Sequence, residues 1–472
     1  MKKLLEISAD HFLKTGINAS RHSTVPEMGF FRAPGMDPFA VPGLFSGGVS
    51  ATDLSAGIVT SVINHFVQGS GTSSLVFAYA LNGDIYRFNG TNGTLDSISR
   101  TLAASQGQGL IHFQGSLYYS QNAQLGAANN PESYPPAWTD AFAAFTNSLV
   151  DHPMHVFQGE LFVGDGNLVG STLGTGEYTG AKLTLPPDVR IIDIDDDGYY
   201  LVIACARKGT TGGLLTRIET KVFYWDTDSP NWNFEWSVNE GEVTSISKTN
   251  RGRVMRLFTG SGQYLFTYAS SPELFTPGST SSFAPFGVTD LQPSIGGVGF
   301  WKGQEAWTSN GRFWTYGQIA PKLPKIFAQP ISLSGIKAFF VDGFANIFAS
   351  ATDNKFYRLS TGNTNPVIET NLIDLGAPVD IKAIKLFVGD LLSASTSVQV
   401  QITGEDTGTA TLDETFNSTN SGIVNRVFTR KTAVLKAEYV RLLITINGGA
   451  NVRKVELWGD PISMPGNFGG IT

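Results

Sequence analysis

The sharpest metal candidate in the chain is Asp193-Ile194-Asp195-Asp196-Asp197-Gly198. It matches the D-x-D-x-D-G opening of a calcium loop, in which the alternate carboxylates Asp193, Asp195 and Asp197 converge on a hard cation. The match stops there. Position 9 falls on Leu201 and position 12 on Ala204, so the closing carboxylate is missing, and apolar runs enter and leave the turn. An acidic hairpin turn is the competing reading, with calcium as the cofactor to test. His152-Pro153-Met154-His155 sets two imidazoles close together, but no third ligand is near and Pro153 forbids the helical spacing that zinc sites use.

Hydrolytic chemistry in a ring-shaped β protein needs two carboxylates of different proton affinity at one mouth. Asp84, Asp165, Asp226 and Asp342 fall near strand ends, yet no spacing pairs any two of them, and acidic residues in turns are mostly turn formers. There is no G-x-S-x-G elbow. The single cysteine, Cys205, lies inside an apolar run and reads as a buried strand residue, and it excludes an intrachain disulfide framework. No catalytic residue is therefore expected. Trp232, Phe234 and Trp236, at alternate positions, would put three rings on one strand face, either as a stacking platform for glycans or as the apolar face of a strand.

The elements that would position these side chains are strands. Short β-branched and aromatic runs ending in Gly, Asn or Asp recur throughout, while a 3.6-residue apolar stripe is almost absent; Leu4–Leu13 is the one helix candidate. From about 56 to 365 a loose hairpin repeat appears. Its clearest copies are Phe113-Gln114-Gly115-Ser116-Leu117-Tyr118-Tyr119 and Phe157-Gln158-Gly159-Glu160-Leu161-Phe162-Val163. Tight hairpins returning every ~40–55 residues predict a β-propeller of about seven blades.

Residues 1–55, punctuated by Pro26, Pro34, Pro38 and Pro42, read as an extended arm whose Phe30, Phe31, Phe39, Leu44 and Phe45 dock on the chain itself or on a neighbour. Residues 366–472 show period-two rows, Val398, Val400 and Ile402 among them, and predict a small jelly-roll or galactose-binding-like β-sandwich.

Composition narrows the function. A net charge of −7, with no clustered basic surplus, argues against a nucleic-acid partner. The longest apolar run, Tyr199–Ala206, is far below the ~20 residues that span a bilayer, so membrane insertion is not expected. Glu6, Asp10 and His11 interrupt what would be a signal-peptide apolar stretch, so the chain reads as made in a cytoplasm, and the sequons at Asn18, Asn89, Asn92 and Asn417 carry no weight there. Charged residues at 15%, against about 25% in ordinary domains, suit a surface covered by contacts.

Two stretches, Lys221-Val222-Phe223-Tyr224-Trp225-Asp226-Thr227 and Ile368-Glu369-Thr370-Asn371-Leu372-Ile373-Asp374-Leu375-Gly376, together with the order arm, propeller, sandwich, resemble bacteriophage virion proteins of the tail and neck. The resemblance implies a structural, non-enzymatic virion component, assembled in the bacterial host in several symmetric copies. It would dock to other tail or neck proteins. The rival expectations are a host-receptor or glycan-binding adhesin at a tail fibre, and a propeller glycosidase.

Overall fold

The computed structural model describes the chain apart from residues 11–29, 38–42, 70–74, 98–108, 148–151, 276–295, 318–324, 405–410, 463–472 and shorter breaks in loops. Seven four-stranded antiparallel sheets form the blades of a β-propeller, and a nine-stranded sheet forms the C-terminal unit. The innermost strands of blades 1 to 7 are Ile63–Gln68, Leu110–Phe113, Met154–Phe157, Val189–Asp196, Val243–Lys248, Val298–Trp301 and Ile336–Val341. Each touches the next, and the seventh touches the first, so the ring is closed.

The hairpin signals act locally as expected. Gln114 and Gly115 have φ of 47° and 77°, and Gln158 and Gly159 have 49° and 81°, the paired positive values of a type I′ turn. Cohesion then comes from between blades. Each of seven apolar clusters joins two neighbours, as where Phe162, Val169 and Leu183 of blade 3 meet Ile191, Ile203 and Trp225 of blade 4. A blade has two apolar faces and no independent core, so the ring is stable only when complete.

Closure is made by the N-terminal segment. Val49–Asp53 pairs with Lys355–Thr361 as the outermost strand of blade 7, with Val49 against Thr361 and Asp53 against Tyr357. Residues 1–55 are thus more than an extended arm. Lys2–Ser8 pairs with Val452–Pro461, and Phe30–Arg32 pairs with Val367–Thr370, both in the C-terminal sheet. Phe30 and Phe45 are fully buried there, ring centroids 6.1 Å apart. The helix candidate Leu4–Leu13 is corrected over its first half, because Leu4–Ser8 is strand; residues 11–13 lie outside the described residues, as do Phe39 and the sequons at Asn18 and Asn92.

The C-terminal unit also differs from expectation. The nine strands are hydrogen-bonded into one curled sheet around one core, and a jelly-roll of two sheets is not what the pairing gives. Two long strands cause this. Val427–Asn447 pairs with Ile373–Val388 along its first part and with Ser397–Gly404 along its last. Register shifts between Asp374 and Val379, and between Ile381 and Ala383, bend the long partner, so the sheet wraps over itself without breaking. Val398, Val400 and Ile402 do face that core.

Candidate functional site

The acidic run lies on the innermost strand of blade 4 and its turn. A register shift between Ile191 and Asp193 turns Ile192 toward blade 5 while Ile191 and Ile194 face blade 3. Asp193 and Asp195 then point across to blade 5. The Asp193 carboxylate accepts from Ser245 Oγ at 2.8 Å and Ile246 N at 2.9 Å; that of Asp195 accepts from Lys248 N at 2.9 Å. The edge of blade 5's first strand, which would otherwise present free amides to the channel, is satisfied by side chains of its neighbour.

Asp197 does something else, capping its own turn by accepting from Tyr199 N and Tyr200 N at 2.9 Å each, with Arg253 Nη2 at 3.0 Å. The calcium-loop reading of Asp193, Asp195 and Asp197 is therefore corrected. Strand alternation sends the three carboxylates to separate partners, so they do not converge. The residues that do converge are His155 of blade 3 with Asp195 and Asp196 of blade 4, whose ligand atoms all lie within 4.8 Å of one another.

His155 Nε2 is 2.7 Å from Asp196 Oδ2, and Lys248 Nζ is 2.5 Å from the same oxygen. Three inner strands are thus tied together at one carboxylate. Burial works to raise Asp196, but the His155 and Lys248 bonds outweigh it and hold the group down at about 2. Burial dominates at Asp193 and raises it to about 6 although part of its surface reaches the channel, and it raises Asp195 as well. An ammonium beside a nitrogen ligand does not suit calcium, which takes a shell of oxygens. Carboxylates pushed apart in proton affinity are what acid–base catalysis uses. Here, though, both Asp193 and Asp196 are engaged with neighbouring blades.

Of the other turn carboxylates, Asp226 and Asp342 cap their own turns, while Asp84 and Asp165 hold the segments that lead into their blades. Asp84 accepts from Asn82 Nδ2 at 2.7 Å and Thr60 Oγ1 at 3.1 Å. Asp165 accepts from Thr146 N and Asn147 N, Asp226 from Ser229 N and Oγ, and Asp342 from Phe344 N and Asn346 N. Asp84 and Asp165 lie where second strands turn into third strands, while Asp342 and Asp226 lie on the opposite face. The ring does not pair them. His152 is buried, stacked on Phe145 at 3.9 Å, and separated in role from His155. Cys205 is buried, and that burial pushes its thiol well above the ordinary range.

No family model matches this chain, and no curated protein does. Solved structures similar to it include a streptogramin B lyase at 10% identity, covering 66% of this chain and 98% of that one with a TM-score of 0.48. Another is YCF48 bound to a D1 peptide, at 11% identity, 68% and 99% coverage and a TM-score of 0.47. A third is the Pan2 WD40 domain of Neurospora crassa, at 11% identity, 67% and 95% coverage and 0.45. The seven-bladed fold stands on the sheet pairing described above. No helix among the described residues is long and apolar enough to cross a membrane.

The aromatic trio Trp232, Phe234 and Trp236 is split. Trp232 packs edge-on against Phe223 in the core shared with blade 3. Phe234 and Trp236 lie on the outermost strand of blade 4 and turn toward Tyr268 of blade 5. Two further constellations have no local signal in the sequence. One is Tyr200 stacked on Tyr268 beside Arg253. The other is a buried ion pair, Arg256 of blade 5 with Glu305 of blade 6, ringed by Phe275, Trp307 and Tyr316. In both the partners are tens of residues apart and meet only because neighbouring blades are adjacent.

Proposed function

We propose that this chain is a non-enzymatic, rigid docking module of a bacteriophage particle, placed in the tail or neck and built in several copies. The observation that carries the reading is the path of residues 1–53. One segment supplies two strands to the C-terminal sheet and the closing strand to the propeller, so the two units are tied by the incoming segment as well as by residues 362–366. A module tied in this way transmits position, which assembly needs, and is poorly arranged to open and close around a substrate.

Two further features support it. The turn carboxylates Asp84, Asp165, Asp226 and Asp342 are occupied by amides and hydroxyls of their own turns or of the segments leading into their blades, which leaves them badly placed for hydrolysis. Large apolar side chains also gather on one face. Leu173, Tyr199, Phe234, Phe300 and Phe344 are exposed on the side where first strands turn into second and third into fourth; Leu81 and Leu274 are the two on the other side among the described propeller residues. An exposed apolar face of this kind suits contact with another protein.

The test is immunogold electron microscopy, with peptide mass spectrometry, on particles purified from the cells that produce the chain. The expected result is label at one fixed station in several copies per particle. Recovery of the chain only as free protein, with particles unlabelled, rejects the assignment.

A further inference from the structure

On the innermost strands of blades 3 and 4, one imidazole nitrogen and two carboxylate oxygens converge. His155 Nε2 lies 2.7 Å from Asp196 Oδ2 and 3.7 Å from Asp195 Oδ1, and the three atoms all fall within 4.8 Å of one another. A tetrahedral ion with bonds of about 2.0–2.1 Å spaces its ligand atoms roughly 3.3 Å apart. The two distances from Nε2 bracket that spacing, so small side-chain adjustments close the set on one ion.

The backbone holds both carboxylates in place. Asp196 Oδ1 accepts from Gly198 N at 2.7 Å, which leaves Oδ2 turned to His155. Asp195 Oδ2 accepts from Lys248 N at 2.9 Å and its Oδ1 from Asp196 N at 2.8 Å. A carboxylate oxygen with one hydrogen bond keeps a further acceptor site, and bonds of this kind are how proteins orient metal ligands. The side chains are sheltered too, Asp196 at 9% exposure and Asp195 at 17%.

A cation already sits against these oxygens. Lys248 Nζ is 2.5 Å from Asp196 Oδ2 and 4.0 Å from Asp195 Oδ1, so its ammonium stands where a metal ion would. It is an imperfect substitute. One ammonium faces two carboxylates, and burial still raises Asp195 against the pull of His155 and Lys248. Lys248 is 43% exposed on a long flexible stem, and its ammonium can swing out while its backbone amide stays bonded to Asp195. The donors select the ion. Imidazole with carboxylates suits zinc and its neighbours, whereas calcium takes oxygen alone.

We propose that His155 Nε2, Asp195 Oδ1 and Asp196 Oδ2 form a binding site for zinc or a similar divalent transition ion, with the Lys248 ammonium displaced into solvent on binding. Water fills the fourth position. The imidazole presents a bare Nε2 to the ion, its proton moving to Nδ1. The ion joins blade 3 to blade 4 by coordinate bonds in place of a hydrogen bond, and the loaded ring unfolds at higher temperature because the unfolded chain lacks the assembled site.

The test uses the full chain without a histidine tag, stripped by a chelator and free of particles, so it is read independently of any place in a virion. Zinc chloride is titrated by calorimetry into wild type, His155→Gln, Asp196→Asn, Lys248→Met and His112→Ala. His155→Gln keeps a hydrogen-bond donor for Asp196 but offers no imidazole, and His112 lies on blade 2 against Glu132. The expected result is one zinc per chain, with a raised unfolding temperature. Affinity falls at least about tenfold in His155→Gln and Asp196→Asn, the scale on which even the orienting partners of metal ligands act. It rises in Lys248→Met and is unchanged in His112→Ala. Circular dichroism checks that each variant is folded. No saturable binding in wild type, binding that survives His155→Gln in a folded variant, or binding that weakens in Lys248→Met overturns the proposal.

Discussion

Replacing Glu305 by Ala isolates the ion pair that joins blades 5 and 6. Arg256 Nε and Nη2 donate to Glu305 Oε2 at 2.8 and 2.5 Å, and Nη1 donates to Gln263 Oε1 at 2.7 Å. Arg256 is 1% exposed and the rings of Phe275, Trp307 and Tyr316 surround it, so no water replaces the lost carboxylate. Two unit charges about 4 Å apart attract by about 4 kcal/mol at an effective dielectric of 20. Stranding a buried partner costs about 3–5 kcal/mol. Burial already works against the guanidinium's charge, lowering its proton affinity despite Glu305. The expected loss for Glu305→Ala is therefore about 3–5 kcal/mol, read from urea unfolding followed by tryptophan fluorescence. The double variant Arg256→Met with Glu305→Leu removes both charges, and is expected to recover most of that loss, because an apolar pair of similar volume carries no desolvation penalty. A single-variant cost below about 1 kcal/mol, or a double variant as weak as the sum of the two singles, refutes the account.

The acidic staple between blades 3, 4 and 5 makes stability depend on pH in two opposite ways. Asp196, held at about 2 when folded against an ordinary 3.8, stabilises above about pH 4 and loses that contribution, about 2 kcal/mol by linkage, as pH falls toward 2; Asp196→Asn is expected to remove this acid slope. Asp193, raised to about 6, binds its proton more tightly when folded, so stability is expected to fall as pH rises from about 4 to 6, and Asp193→Asn to flatten that fall in urea midpoints taken across the range. Deleting residues 1–55 strips the closing strand from blade 7 and two strands from the C-terminal sheet, so the truncated chain is expected to aggregate, read as material in the void volume in size-exclusion chromatography. Cys205 is expected to be inert to a thiol reagent in the folded protein and to react fully in urea, a single-site readout because no other cysteine is present.

The sequence by itself determined what is local. The Gln-Gly dipeptides at 114–115 and 158–159 specify hairpins because positive φ is required at both positions, and their recurrence announces a propeller of about seven blades. Alternation at Val398, Val400 and Ile402 states that one face is buried. It does not state what covers that face, and a curled single sheet and a two-sheet sandwich leave the same period-two trace. Tertiary structure decided everything that depends on which strand lies beside which. The prolines of the first 55 residues suggested an arm, but Val49–Asp53 becomes a strand because blade 7 lacks its fourth, some 300 residues away. The acidic run resembled a calcium loop in one dimension. On a strand with side chains alternating, its carboxylates instead reach Ile246, Lys248 and His155 of neighbouring blades. Closing the ring brings those groups together, and no spacing along the chain encodes that.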